Sequence, residues 1–212
     1  MAAKRPYHRV NLKQNLLDSA VALVAEVGPQ AFTLREVARR AGVSHNAPYR
    51  HFRDKDDLLA SVAAQGFDQL NEAMKKAMAE GRNAAERLSL AGRGYVQFAL
   101  QSPQHLLVMF ETPVPDDQRP ENKDAAQRAF QTLLDAITAV QAAGGLPLGD
   151  PQPFAIVAWS GVHGLAKLAI GGRLPFTANQ TLQFADYLTQ VLAQGMSNVA
   201  ARINNLRGFE FS

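Results

Sequence analysis

Residues 32–59 read FTLREVARRAGVSHNAPYRHFRDKDDLL. Thr33 stands three residues before Glu36, the spacing of a capping box, in which each side chain satisfies a backbone amide of the other. Leu34, Val37, Ala38 and Ala41 then share one helical face. Gly42 falls where a left-handed residue ends a helix without steric cost. Ser44 offers a cap for a third short helix ending near Phe52. Ala38 is small where two helices cross closely, and Val43 plugs the joint between them. Capped helix, tight turn and second capped helix make a helix-turn-helix, whose second helix fits the major groove of B-DNA. Pro48 complicates that helix. Four residues past Ser44, it lacks the N–H that would bond the cap carbonyl, so a distorted or 3₁₀-like first turn is expected.

Upstream, Asn11 can cap a helix over 11–27 whose face is Leu12, Leu16, Ala20, Leu23 and Val27; Gly28 and Pro29 end it. Downstream, Asp54, Asp56 and Asp57 favour the positive end of a helix running from about 56 to 80. Further helices read as 84–101, 103–111, 122–143, 151–170 and 178–205, giving about nine in all. The segment Thr112–Glu121, with Pro113, Pro115 and Pro120, reads as a surface loop. Ala and Leu supply 59 residues against 19 for Val and Ile, which points to an all-α chain. The expected division is a three-helix DNA-binding domain over 1–55 and a helical bundle over 56–212.

Charge singles out the same segment. Residues 1–53 hold nine Lys/Arg against three Asp/Glu, whereas the rest of the chain holds thirteen against sixteen. A basic end on a mildly acidic body fits a polyanion partner, although a solvated basic arm has the same composition. The 212 residues contain no cysteine, which excludes thiolate zinc sites and Cys nucleophiles and suits a reducing cytoplasm. The longest uninterrupted apolar run, Ala20 to Ala25, is far short of the ~20 residues of a span, and the polar start MAAKRPYHRVNLKQ lacks the apolar core of a secretory signal. A cytoplasmic location is therefore expected.

The side chains of the helix-turn-helix suit DNA. His45, Asn46 and Ala47 stand on the first turn of its second helix, where His45 can donate or accept, Asn46 can grip adenine and Ala47 can touch a thymine methyl. Arg35 can reach a guanine or a phosphate. Thr33, Tyr49, His51 and Lys55 are groups that hold phosphates. Lys4, Arg5 and Arg9 can lie over backbone or minor groove. Plainer readings exist for each: His45 and Asn46 as exposed polar residues, Tyr49 and Phe52 as core aromatics, Arg39 and Arg40 as a solvated face.

Taken together, the T-x-R-x-V-A-x-x-A-G-V-S core from Thr33 to Ser44, the Y-x-H-F of Tyr49 to Phe52 and the K-x-x-L-L of Lys55 to Leu59 resemble the N-terminal domain of the TetR family of bacterial transcriptional regulators. They cover about a quarter of the chain. The resemblance implies an all-α homodimer with a variable C-terminal ligand domain, repressing transcription until a small molecule binds. It places Arg35, His45, Asn46 and Ala47 among base readers and Thr33, Tyr49, His51 and Lys55 among phosphate contacts. Pro48 departs from the Leu that many members carry before the Tyr, which leaves open which of His45, Asn46 and Ala47 reads a base. Trp159, His163 and Gly164 are similar to the W-H-G signature of one C-terminal subgroup.

In the bundle, Ala185, Leu188, Leu192, Met196, Val199 and Ile203 form a stripe on the last helix, readable as core or as a dimer seam in which the last two helices of each subunit make a four-helix bundle. Twofold pairing suits a palindromic operator. Candidates for an apolar effector pocket are Tyr95, Phe98, Met109, Phe110, Phe130, Trp159 and His163, each also readable as core. Such an effector would act by widening the spacing of the heads, moving the helix at 56–80, or by rigidifying the dimer. The chain has no G-x-S-x-G, H-E-x-x-H or P-loop, and Gly92-Arg93-Gly94 lacks the third glycine of a dinucleotide fingerprint. No catalytic residue, metal site or cofactor is expected. The reading is a ligand-released, sequence-specific DNA-binding repressor. An activator of the same fold, and a helical small-molecule-binding or catalytic protein with a merely structural basic head, remain as alternatives.

Overall fold

The computed structural model describes residues 12–112 and 120–203, with side chains described to Asn198. Asn11, Lys4, Arg5, Arg9, most of the Thr112–Glu121 loop and the side chains of Val199 and Ile203 lie outside the described residues. Among the described residues all regular structure is helical: α1 (Leu12–Val27), α2 (Leu34–Arg40), a 3₁₀ turn (Pro48–Arg50), α3 (Lys55–Met78), α4 (Ala84–Gln101), α5 (Pro103–Glu111), α6 (Pro120–Ala142), α7 (Gln152–Ile170) and α8 (Ala178–Ile203). That is eight α-helices and one 3₁₀ turn, against about nine helices expected from the sequence.

The difference lies at the third helix of the head. No α-helix forms over 44–52. Instead the Ala47 amide bonds the Ser44 carbonyl (2.9 Å), the Arg50 amide bonds Ala47 (3.3 Å) and the His51 amide bonds Pro48 (2.9 Å). These are i→i+3 bonds, the 3₁₀ pattern. Pro48 supplies no amide for the Ser44 carbonyl, so the α-helical ladder cannot start there.

The described residues form two compact units, one from residues up to Gln65 with Gln104–Asn122, the other from Gly66–Pro103 and from Lys123 onward. The boundary falls inside α3, and α5 belongs with the first unit. In the first unit α1 packs on α2, and α2 on the 3₁₀ turn. Its core includes Leu16, Ala20, Val37, Ala38, Pro48, Phe52, Leu58 and Leu59, each nearly or wholly buried. Both ends of α2 are locked. At its start, the Thr33 hydroxyl accepts from the Glu36 amide (3.3 Å) and the Thr33 amide donates to Glu36 (2.7 Å), completing the capping box. At its end, Gly42 (φ +69°) donates to the Arg39 carbonyl and Val43 to the Ala38 carbonyl, the two bonds of a Schellman motif. Asn15 of α1 donates to the Ala41 carbonyl at 3.1 Å, tying that turn to α1. At α3, Asp54 accepts from the Asp57 amide (2.7 Å) and Asp57 from the Arg53 amide (2.9 Å), a reciprocal cap.

The second unit is a bundle in which α4, α7 and α8 contact one another pairwise. Leu88, Ile137, Val140, Leu146, Phe154 and Met196 form its buried cluster. Two glycines let α4 sit close to its neighbours. A Cβ on Gly94 would lie 2.8 Å from the Ala73 carbonyl oxygen of α3, and one on Gly92 would lie 2.6 Å from the Thr189 methyl of α8 and 3.1 Å from Val162 of α7. Gly161 of α7 leaves room for Leu192 of α8 in the same way. Helix α7 has the length and mean hydropathy of a membrane span, and its longest uninterrupted apolar run, Phe154 to Trp159, is six residues, as short as Ala20 to Ala25. Its contacts with α4 and α8 account for part of that apolarity, and Val157 and Leu168 remain exposed.

Candidate nucleic-acid interface and a cavity in the second unit

The residues picked as DNA contacts divide by exposure. Thr33, Arg35, His45, Asn46, Tyr49 and His51 are all exposed, and Tyr49 is 54% exposed, which removes the core reading for it. Phe52 is core, at 2%. Ala47 is buried as well, because the i→i+3 turns rotate its methyl toward the core beside Pro48. Ala47 thus faces away from the exposed His45 and Asn46. Lys55 is half-buried: its ammonium donates to the Gln30 carbonyl (2.9 Å) and lies 5.4 Å from the centre of the Phe32 ring. Arg40 pairs with Glu26 of α1 (2.8 Å). Arg39 and Arg50 are exposed beside the cluster. Glu36 is held below the usual carboxylate range, first by the Thr33 hydroxyl and then by the Thr33 amide, so the cap is charged at neutral pH.

What the arrangement offers is a rigid platform with exposed hydrogen-bonding groups of several kinds, beside which the Glu36 carboxylate is engaged by the Thr33 hydroxyl at 2.9 Å and the Thr33 amide at 2.7 Å. The positive φ of Gly42 and the two Schellman bonds fix the direction in which residues 44–51 leave α2. Hydroxyl, guanidinium, imidazole, amide and phenol are the groups that bind phosphates and base edges.

The second unit holds a cavity of about 660 Å³, within the range of small-molecule sites. Apolar side chains from five helices line it, among them Met74, Leu88, Tyr95, Leu133, Trp159 and Leu192. Of the residues expected there, Tyr95 and Trp159 line it; Phe98, Met109, Phe110, Phe130 and His163 do not. Met109 and Phe110 belong to α5, in the other unit. Phe98 is core at 4% exposure, and Phe130 packs against the Trp159 ring, centroids 6.1 Å apart. His163 stands behind Tyr95, its Nδ1 2.7 Å from the Tyr95 hydroxyl oxygen.

These three side chains form a network. The Trp159 indole can only donate, and it does so to the Tyr95 oxygen. The phenol and Nδ1 of His163 share a second hydrogen bond at 2.7 Å, whose donor is set by the imidazole tautomer. Burial holds His163 below the usual imidazole range, with Lys167 adding to the effect, and pushes the Tyr95 phenol well above its own. Both groups are neutral at pH 7. The W-x-x-x-H spacing therefore ties α7 to α4. Among the described residues no group of three or more His, Asp or Glu is placed to hold a metal ion.

The fold and the head define a class of protein: a helix-turn-helix DNA-binding regulator carrying a separate helical ligand domain. Residues 16–62 match the family model described as "Bacterial regulatory proteins, tetR family", and residues 88–192 match "Tetracyclin repressor-like, C-terminal domain". The chain belongs to the TetR family of bacterial regulatory proteins. It is 24% identical over 157 residues to the HTH-type transcriptional regulator Rv1816 of Mycobacterium tuberculosis, covering 71% of this chain and 67% of that one. A solved structure of a protein of unknown function from Rhodococcus sp. RHA1 is 32% identical, covers 92% of this chain and 100% of its own, and superposes with a TM-score of 0.76. The transcriptional regulator FadR of Bacillus subtilis, solved with stearoyl-CoA, shares the fold at 18% identity, covering 86% of this chain and 98% of its own with a TM-score of 0.74.

Proposed function

We propose that this protein is a homodimeric repressor that binds a palindromic operator through its head and leaves it when an apolar molecule enters the cavity of the second unit. The observation that carries the DNA half is the exposed cluster of Thr33, Arg35, His45, Asn46, Tyr49 and His51 on a head locked by a capping box and a Schellman turn. His45, Asn46 and Arg35 are the base readers in this reading. Thr33, Tyr49, His51 and Lys55 position the phosphates, Lys55 by moving from the Gln30 carbonyl. Residues 1–55 act as the DNA-binding part and 56–212 as the part for ligand and dimer, in the cytoplasm. Support for an apolar effector comes from the lining of the cavity, and the FadR relative in fold was solved with an acyl-CoA.

Support for the dimer comes from the outer faces of α7 and α8. Val157 and Leu168 on α7 and Phe184, Tyr187 and Val191 on α8 are large, apolar and exposed, and Phe176, Phe184 and Tyr187 stack at 5.5 and 5.8 Å between centroids. A second copy would cover them.

The test is binding to the DNA upstream of the protein's own operon at increasing salt. Log affinity should fall against log salt with a slope of about −5 to −9, for roughly six to ten neutralised phosphates. Asn46→Ala should cost about 1–3 kcal/mol at the specific site and little on random DNA. A flat salt response would remove the DNA reading, and equal losses on both DNAs would remove Asn46 as a base reader.

A further inference from the structure

The polar atoms of the cavity are few, and their hydrogen bonds have a direction. Among the described residues its only ionised lining groups, Arg82 and Glu86, pair with each other at 3.1 Å, and the Arg82 side chain is 87% exposed, which puts the pair at the rim. Gln190, Gln194 and Asn198 are exposed too. Deeper in, Tyr95 and Trp159 spend their polar atoms on each other and on His163. Asn83, which caps α4, and Ser197, which donates to backbone carbonyls, are exposed as well. The half-buried side-chain hydroxyls left among the described lining residues are a pair between α4 and α8: Ser89 Oγ lies 2.6 Å from Thr189 Oγ1.

The Thr189 hydroxyl donates to the Asp186 carbonyl at 3.0 Å. A carbonyl can only accept and Thr189 has one proton, so that proton is committed. The 2.6 Å contact must then be made by the Ser89 proton. The chain runs Ser89 to Thr189 to the Asp186 carbonyl, and it leaves the Ser89 oxygen with free lone pairs and no proton to give. Gly92, one turn along α4, keeps Thr189 close, since a Cβ there would meet the Thr189 methyl at 2.6 Å. The Asp186 carboxylate, bonded by Arg93, holds the same turn of α8.

We propose that the effector is an uncharged amphiphile, an apolar body bearing a hydroxyl, whose O–H donates to Ser89 Oγ. The assignment rests on the cavity being the effector site. A carboxylate has no proton to offer, and an ether has none either, so the Ser89 oxygen discriminates against both. With no unpaired cation among the described lining residues, a buried anion also lacks a counter-charge.

The experiment uses the full-length protein and three probes of equal chain length: 1-decanol, decyl methyl ether and decanoate. Trp159 is the only tryptophan of the chain and lines the cavity, so its emission reports occupancy. Decanol should bind about three- to tenfold more tightly than the ether, as one neutral hydrogen bond allows, and more tightly than decanoate. In Ser89→Ala the decanol-to-ether ratio should fall to about one, with ether affinity changed less than about twofold. The ratio is taken within each protein and does not depend on the folded fraction. Should Ser89→Ala fail to fold, the ratio in the unmutated protein decides alone. Equal binding of decanol and ether there, or a ratio unchanged by Ser89→Ala, overturns the hydroxyl assignment and leaves the effector cavity standing. If no probe perturbs Trp159, the effector cavity itself falls, and the hydroxyl assignment with it.

Discussion

Replacing Tyr95 by Phe removes one oxygen and almost no volume, so its cost is a measure of the network around that oxygen. Tyr95 is 4% exposed. Its hydroxyl accepts from Trp159 and shares a hydrogen bond with Nδ1 of His163 at 2.7 Å. Two ordinary hydrogen bonds are worth about 0.5–1.5 kcal/mol each, and a buried polar group left without a partner costs about 1–3 kcal/mol. Trp159 and His163 are only partly buried, so water reaches part of what is lost, and about 2–3 kcal/mol is expected overall. For a chain of this size that corresponds to roughly 2–4 °C of melting temperature per kcal/mol. Denaturant titration at pH 7.5, followed by Trp159 emission and by circular dichroism, measures it. The Trp159 emission of the folded variant should also shift, because the indole N–H has lost its acceptor. A loss below about 0.5 kcal/mol with unchanged emission would show that the three side chains do not form the network, and the α4–α7 tie would have to lie elsewhere.

Three further outcomes follow from the same structure. Gly94→Ala forces a methyl to within 2.8 Å of the Ala73 carbonyl oxygen, and should destabilise the second unit by about 1–3 kcal/mol in spite of the better helix propensity of Ala; a gain in stability on thermal melting would contradict that close approach. Thr33→Ala removes the cap of α2 and should cost about 1 kcal/mol in denaturant titration, and a change within error would mean the cap is not formed in solution. His105 and His163 are both held below the ordinary imidazole value by burial, so the unfolded chain takes up protons first as pH falls. Their contribution to stability is complete above the unfolded imidazole value of ~6.5 and declines as pH drops below it; melting temperatures at pH 7.5 and pH 5.5 should differ in that direction, and His163→Gln should shrink the difference.

Backbone features were the most readable part of the sequence. Thr33 with Glu36, Gly42 and Pro48 act on neighbours within five residues, so their spacing alone carries the information. The capping box, the Schellman turn and the 3₁₀ distortion all follow from it. Facing is harder. Ala47 sits one residue from Asn46, and whether it looks in or out depends on a rotation of the turn that Pro48 sets. Hardest were contacts between distant helices. Gly92 and Gly94 read as glycines lost in a helix, and only the neighbours at Ala73, Val162 and Thr189 explain why a side chain is absent there. Tyr95 and His163, 68 residues apart, and Ser89 and Thr189, 100 apart, carry no local signal of their pairing. An aromatic residue in an all-α chain does not announce whether it walls a cavity or fills a core, which is why Phe98 and Phe130 looked the same as Tyr95 and Trp159.

The loss of an α-helix over 44–52 limits what one head can spell. In the reading proposed above the base readers are three side chains, Arg35 at the start of α2 and His45 and Asn46 ahead of the Pro48–Arg50 turn, and no helix continues beyond them to lie along the groove. Few letters of any operator can be contacted by so small a set. Tolerance to base changes should then be concentrated outside a narrow window in each half-site, and point substitutions scanned across the operator would reveal two short intolerant islands separated by permissive sequence.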